Sequence, residues 1–180
     1  MSVSTLPGVA DLRERLANFR YSLFRLETLQ VYNGSGEDDA FAAFRAGQPI
    51  PVTPALREWC ARVRLRVDTG AAVQRVHVVI EPQTEYIRFE LASYAPNVDA
   101  GEDVRILPVR PGRAWPADVP DADFWLIDSR DLFSMAYETD GTWLGAQLTT
   151  DPKLLADACF GRDAALALAE PWSSYMRRQS

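Results

Sequence analysis

Two short apolar runs, VQRVHVVI (73–80) and DVRILPV (103–109), constrain this chain more than anything else in it. Both are rich in β-branched residues and too short for typical helices, so they read as strands. Between them, Pro82 suits the first turn of a helix that runs to about Tyr94. Strand, helix and strand in that order predict a β-α-β crossover, which joins parallel strands and lays its helix on the sheet.

The sequence after the crossover adds strands of another kind. FWLID (124–128) is apolar enough to be buried on both faces. LFSMAYETDGTWLGAQLTT (132–150) splits at Thr139, Asp140 and Gly141, and an Asp-Gly between alternating runs signals a hairpin. Asp151 and Pro152 then cap and open a last helix, with Leu154, Leu155, Ala158, Ala165 and Leu166 apolar, and Pro171 ends it.

The first seventy residues read as helical. Leu12, Leu16, Phe19, Leu23 and Leu26 recur at spacings of four and three, which predicts a helix over 9–27. That seam serves either the protein's own core or a dimer or partner contact. NGSGEDD (33–39) is a turn cluster, followed by a short helix with Ala40, Phe41 and Phe44 apolar. After a proline-rich connector (47–54), Thr53 as N-cap and Pro54 start a helix lined by Leu56, Trp59, Cys60, Val63 and Val67. Arg62, Arg64 and Arg66 alternate with apolar residues and offer a competing strand reading; the cap and the longer pattern favour helix. The fold class is therefore α/β: a mixed sheet of about five strands with a crossover, a hairpin, a helical N-terminal region (1–70) and a C-terminal helix. Residues 71–180 form the α/β domain, and the whole reads as one compact unit.

Composition narrows the function classes. At 180 residues with 47% apolar and 24% charged side chains, the chain is that of an ordinary globular protein. It has no run of ~18 apolar residues, so no membrane span is expected. Its start, MSVSTLPGVADLRERLANF, lacks the basic flank and apolar block of a secretory signal. Cys60 and Cys159 fall on apolar faces and read as buried free thiols, which points to the cytoplasm. Residues 1–90 carry eleven basic and eleven acidic side chains, whereas residues 91–180 carry eight and fourteen, so the net charge of −6 resides in the second half. An acidic surface opposes direct nucleic-acid binding, which depends on neutralising phosphates.

The chemistry-bearing residues are few. His77 is the one histidine, so the usual zinc sets are out of reach and no metal or cofactor is expected. No phosphate-binding glycine loop and no nucleophile elbow is present. EYIRFELASY (85–94) stands out for its two tyrosines, Arg88 and Glu90. On a helix, Tyr86, Phe89, Glu90 and Ser93 share a stripe while Arg88 projects elsewhere. A carboxyl at the edge of a buried stripe needs a cation, and Arg75, Arg88 or Arg105 could supply it. Arg75, Tyr86, Arg88, Glu90 and Arg105 are therefore the candidate ligand-binding residues. His77, Tyr86, Glu90 and Asp128 are the acid–base candidates should the protein be an enzyme.

Three segments carry a family resemblance: FRLETL (24–29), RVHVVIEPQTEYIRFELASYAPNVDAGEDVRIL (75–107) and DFWLIDSRDLFSMAYETDGTWLGAQL (123–148). With AGED (100–103) and FWLID as its clearest words, the chain resembles an actinobacterial domain-of-unknown-function family over about residues 20–170. Members are often encoded beside helix-turn-helix regulators, which implies such a regulator as a partner. The second half also resembles a degenerate phospholipase D-like repeat. With Asp128 in the aspartate place of that signature, its histidine and lysine places fall on Asp121 and Asp123, so the resemblance implies no phosphodiester chemistry. The resulting expectation is a non-catalytic accessory or sensor protein that binds a small molecule or a regulator. The alternative is a small-molecule enzyme working through Tyr86, Glu90 and Asp128.

Overall fold

The chain's computed structural model, which describes residues 7–33 and 36–179, turns out of its first helix far earlier than the apolar spacing predicts. Helix α1 (Val9–Asn18) stops where Phe19 adopts extended backbone, and strand β1 (Ser22–Glu27) follows. The cause lies a hundred residues away. The Asp128 carboxylate accepts hydrogen bonds from the backbone N–H groups of Arg20, Tyr21 and Ser22 at 2.7–3.1 Å, fixing a turn where a helix would otherwise continue. The predicted helix over 9–27 is thus a helix and a strand, and the 1–70 region is not purely helical. Leu12, Phe19, Leu23 and Leu26 are buried in the chain's own core instead of forming a free seam.

The crossover follows the sequence expectation. Strand β2 (Ala72–Ile80) and strand β3 (Asp103–Val109) are parallel neighbours joined through helices α4 (Glu85–Ser93) and α5 (Ala95–Asp99). Thr84, not Pro82, starts α4, its hydroxyl accepting from the Ile87 N–H at 3.0 Å. Upstream, α2 (Asp38–Arg45) and α3 (Pro54–Asp68) make a second crossover from β1 to β2, also parallel. Thr53 caps α3 from the Leu56 N–H and Pro54 is its first residue, so Arg62, Arg64 and Arg66 lie on a helix.

Strand β4 (Phe124–Ile127) runs antiparallel to β1, and the hairpin of β5 (Asp131–Tyr137) and β6 (Trp143–Thr149) continues outward from it. Helix α6 (Pro152–Leu168) is capped by Asp151. A two-residue strand β7 (Glu170–Pro171) pairs with β3, and α7 (Trp172–Gln179) closes the described chain. The sheet order is β6-β5-β4-β1-β2-β3-β7. The architecture is mixed α/β with seven strands, not about five, because β1 lay hidden in a helical pattern and β7 is too short to leave one.

Helices cover both faces. On one, α6 packs Ala158 and Ala165 on Phe24, Leu26, Val76, Val78 and Leu126. On the other, the apolar packing divides. One cluster joins Leu12, Cys60 and Val63 to Leu23, Val73 and Phe133; a second joins Ile87, Leu91 and Tyr94 to Val79, Val104 and Ile106. Both cysteines are free thiols, Cys60 buried and Cys159 half-buried. The two clusters part over the middle of β1 and β2, and that gap is where the polar chemistry gathers.

Candidate functional site

A cavity of about 450 Å³ fills the gap. Its floor comes from alternate residues of adjacent strands. In the sheet register Arg25 lies beside both Arg75 and Trp125, and Glu27 beside His77, so these side chains emerge on one face. Leu12 and Leu16 of α1, Leu56 and Trp59 of α3, and Tyr86, Phe89 and Glu90 of α4 form the walls. Tyr32, Met135, Tyr137 and Trp143 close one side, with exposed Arg13, Asn33 and Pro51 at the outer edge.

Tyr32 reaches this position through the hairpin tip. Gly141 takes φ +87° there, and a Cβ on it would sit 2.3 Å from the Val31 carbonyl oxygen. The bare glycine lets the segment before Asn33 lie against the hairpin, where the Asn33 N–H donates to the Gly141 carbonyl at 3.0 Å.

The floor is a chain of alternating charges. Arg25 Nη2 donates to Asp123 at 2.8 Å, and Arg25 Nε approaches Glu27 at 3.5 Å. Arg75 Nη1 donates to both Glu27 oxygens at 2.8 and 2.9 Å, and Arg75 Nε to Glu102 at 2.8 Å. Three carboxylates thus face two guanidinium groups. Asp123 also accepts from the Thr28 N–H, the Thr28 hydroxyl and the Tyr32 phenol. Glu102 accepts from Trp59 Nε1 and Asn97 Nδ2. Burial pulls the Arg25 and Arg75 guanidinium groups down, but the carboxylates against them outweigh it and hold both firmly charged. Burial pushes Glu27 up, and Arg75 and Arg25 overcome that and hold it well below the usual carboxylate range. Arg25 lies 5.2 Å over the Trp125 ring, and its Nη1 finds no acceptor among the described residues.

Glu90 behaves differently. It is 6% exposed, and no cation lies within ion-pair distance of it among the described residues. The expected ion pair with Arg75, Arg88 or Arg105 is absent. Its oxygens instead lie within hydrogen-bond distance of two phenols, Tyr86 at 3.0 Å and Tyr94 at 3.1 Å. Burial first, then the nearby Glu37 and Glu27, push its carboxyl up to about 8, so it is largely protonated at neutral pH. Tyr86 bridges Glu90 to Glu37, whose Oε2 is 3.2 Å from the same phenol.

Behind Tyr94 sits His77, fully buried. The Leu29 carbonyl, 3.3 Å from Nε2, can only accept, which assigns the ring proton to Nε2. Nδ1 then accepts from the Tyr94 phenol at 2.8 Å, and burial keeps the imidazole neutral by lowering its pKa.

Of the residues singled out by sequence, Arg75, Tyr86 and Glu90 meet at this cavity, with His77 sealed beneath it. The others lie elsewhere. Arg88 is exposed, its Nη1 donating to the Gln83 carbonyl at 3.2 Å. Arg105 pairs with Asp103 beside it. Asp128 holds the start of β1, and those backbone N–H groups bring its pKa down against the opposing effect of partial burial. Arg25, Glu27, Tyr32, Glu37, Asp123 and Tyr137 were missed. Alternation of Arg25 and Glu27 with Phe24 and Leu26 was the available signal for the first two.

Among the described residues no group of three or more His, Cys, Asp or Glu side chains is placed to hold a metal ion, and no helix is long and apolar enough to cross a membrane. A family model described as a domain of unknown function (DUF6879) matches residues 10–177. No curated protein matches the chain.

Proposed function

The chain belongs to that family, and for it we propose a non-catalytic accessory or sensor role: the cavity binds a small molecule, and the occupied protein acts on a transcription-regulator partner. The observation that carries this reading is the cavity of about 450 Å³ whose floor is built from buried charged side chains and whose walls are aromatic. A few placed polar groups within a largely apolar pocket is the usual make-up of a small-molecule site. The unpaired Nη1 of Arg25 and the cation-free Glu90 are groups that a ligand could satisfy. In this reading the protein works in the cytoplasm of an actinobacterium, beside a helix-turn-helix regulator. The phospholipase D-like likeness adds no catalysis, since Asp123 in its lysine place is bound to Arg25.

The test uses the protein purified from its producing cells. Small molecules released on denaturation are identified by mass spectrometry, and a metabolite library is screened by thermal shift and by tryptophan fluorescence, since Trp59, Trp125 and Trp143 line the cavity. A retained or stabilising compound that alters the fluorescence supports the reading. No retained compound and no shift across the library overturns it.

One observation favours the enzymatic alternative. The Glu90 carboxyl, pushed up to about 8 by burial, lies 3.0 Å from the Tyr86 phenol, as in a general acid–base pair. Asp128 takes no part in it. Consumption of a metabolite from cell extract by the wild type, lost in Glu90→Gln, would establish turnover.

A further inference from the structure

Building on the ligand-binding reading, we infer that the cavity takes an organic cation: a protonated primary amine on an apolar body, its ammonium between Glu37 and Glu90 and its body against Trp59 and Trp125.

The charge count points this way. In the chain Asp123–Arg25–Glu27–Arg75–Glu102, three carboxylates face two guanidinium groups, so the floor carries one uncompensated negative charge. Glu37 and Glu90 add two acidic groups on opposite sides of the Tyr86 phenol, at 3.2 and 3.0 Å. Neither has a cationic side chain within ion-pair distance among the described residues, and the remaining lining cation, Arg13, is exposed at the outer edge. An anion entering here would meet more carboxylates than free cations. An ammonium has three N–H donors to share between two carboxyl groups and a phenol.

The walls suit the same ligand. Trp59 and Trp125 meet edge to face with centroids 5.9 Å apart, beside Leu56 and Leu16. Aromatic faces attract cations and accept apolar bodies equally well. The groups facing Glu90 are Tyr86 from its own helix, Tyr94 at that helix's end, Glu37 ahead of α2, Glu27 from β1 and Arg75 from β2. Of these Arg75 alone is cationic, and its Nε and Nη1 are already engaged by Glu102 and Glu27. A bound ammonium would therefore take the place of the proton on Glu90: the carboxylic acid loses H⁺ to solvent, and the carboxylate that remains pairs with the ammonium.

The test is a matched set of probes that share a body and differ in head group: 3-phenylpropylammonium, 3-phenylpropanol and 3-phenylpropanoate. Binding to the full chain is measured by calorimetry at pH 7 in two buffers of different ionisation enthalpy. The ammonium probe should bind at least about tenfold more tightly than either of the others, with release of about one proton. Glu90→Gln matches the protonated side chain in shape, so it should fold as the wild type does and weaken the ammonium probe by about tenfold or more. Glu37→Gln should weaken it in the same direction. Equal or tighter binding of the alcohol or the carboxylate overturns the inference about charge and leaves the ligand-binding reading standing. Undiminished ammonium binding by a folded Glu90→Gln variant overturns the assigned position. Silence of all three probes also overturns the inference, and the metabolite screen then decides the broader reading separately.

Discussion

On one face of β1 and β2 stand Phe24, Leu26, Val76 and Val78; on the other, one residue along in each case, stand Arg25, Glu27, Arg75 and His77. The first set packs under α6 and does what a core does, each large side chain contributing roughly 1.5–3 kcal/mol by leaving water. The second set is also largely withdrawn from water, and there the balance reverses. Desolvating each charge costs several kcal/mol, and a buried ion-pair chain is often no more stabilising than the hydrophobic residues that could replace it. A chain that can fold on one face has little stability reason to keep charges on the other. The contrast teaches that the α6 face serves folding, while the charged face fits the recognition role proposed for the cavity.

Breaking the charged face should have the largest effect. Asp123→Ala strips the acceptor from Arg25, Thr28 and Tyr32 at once. It should cost about 3–5 kcal/mol, read from urea unfolding. A loss below ~1 kcal/mol would mean the charges are far better solvated than the geometry allows. On the opposite face, Leu26→Ala should cost about 2–5 kcal/mol, because Leu26 is fully buried. It should leave ligand binding in the cavity unchanged; a folded Leu26→Ala protein that no longer binds would show that the faces are not independent.

A smaller, pH-dependent effect separates Glu90 from its neighbours. Its carboxyl holds a proton up to about 8 in the folded protein, against an ordinary value of 4.5. Between those values the folded state binds more protons than the unfolded, so this group makes stability fall as pH rises from about 4.5 to about 8. Glu90→Gln removes that slope. The variant should match the wild type below about pH 4 and exceed it at pH 9 by at least ~1.4 kcal/mol, one pKa unit's worth, in thermal or urea melts. Identical pH profiles would place a cation beside Glu90 after all. Smallest is Arg88→Met, on the outward side of α4: stability within ~0.5 kcal/mol of wild type and unaltered cavity binding.

How far the sequence could be read depended on whether one periodicity stood alone. The β2–β3 crossover and the β5–β6 hairpin were legible because β-branched runs and the Asp-Gly turn point the same way. Strand β1 was not. It is buried on both faces, so Leu23 and Leu26 continued by chance the helical spacing of Leu12, Leu16 and Phe19. The stop signal was Asp128, remote in sequence. That misreading hid Arg25 and Glu27, which on a helix would have been ordinary solvated residues. Tyr86 and Glu90 were legible as an i, i+4 pair, and the same rule sends Arg88 outward. Asp123 stands just ahead of the FWLID run, and only the fold brings it to Arg25.

The short strand β7 has a consequence for how copies of this chain can meet. A sheet edge is a template for another strand, and proteins guard against unwanted annealing by shortening the edge or placing proline there. Here β7 is two residues long and one of them is Pro171, opposite Arg105. That margin offers almost no free ladder for a second molecule to zip onto. At the far side the outer edge of β6 is occupied in part as well, the Ala146 N–H donating to the Pro7 carbonyl at 3.0 Å.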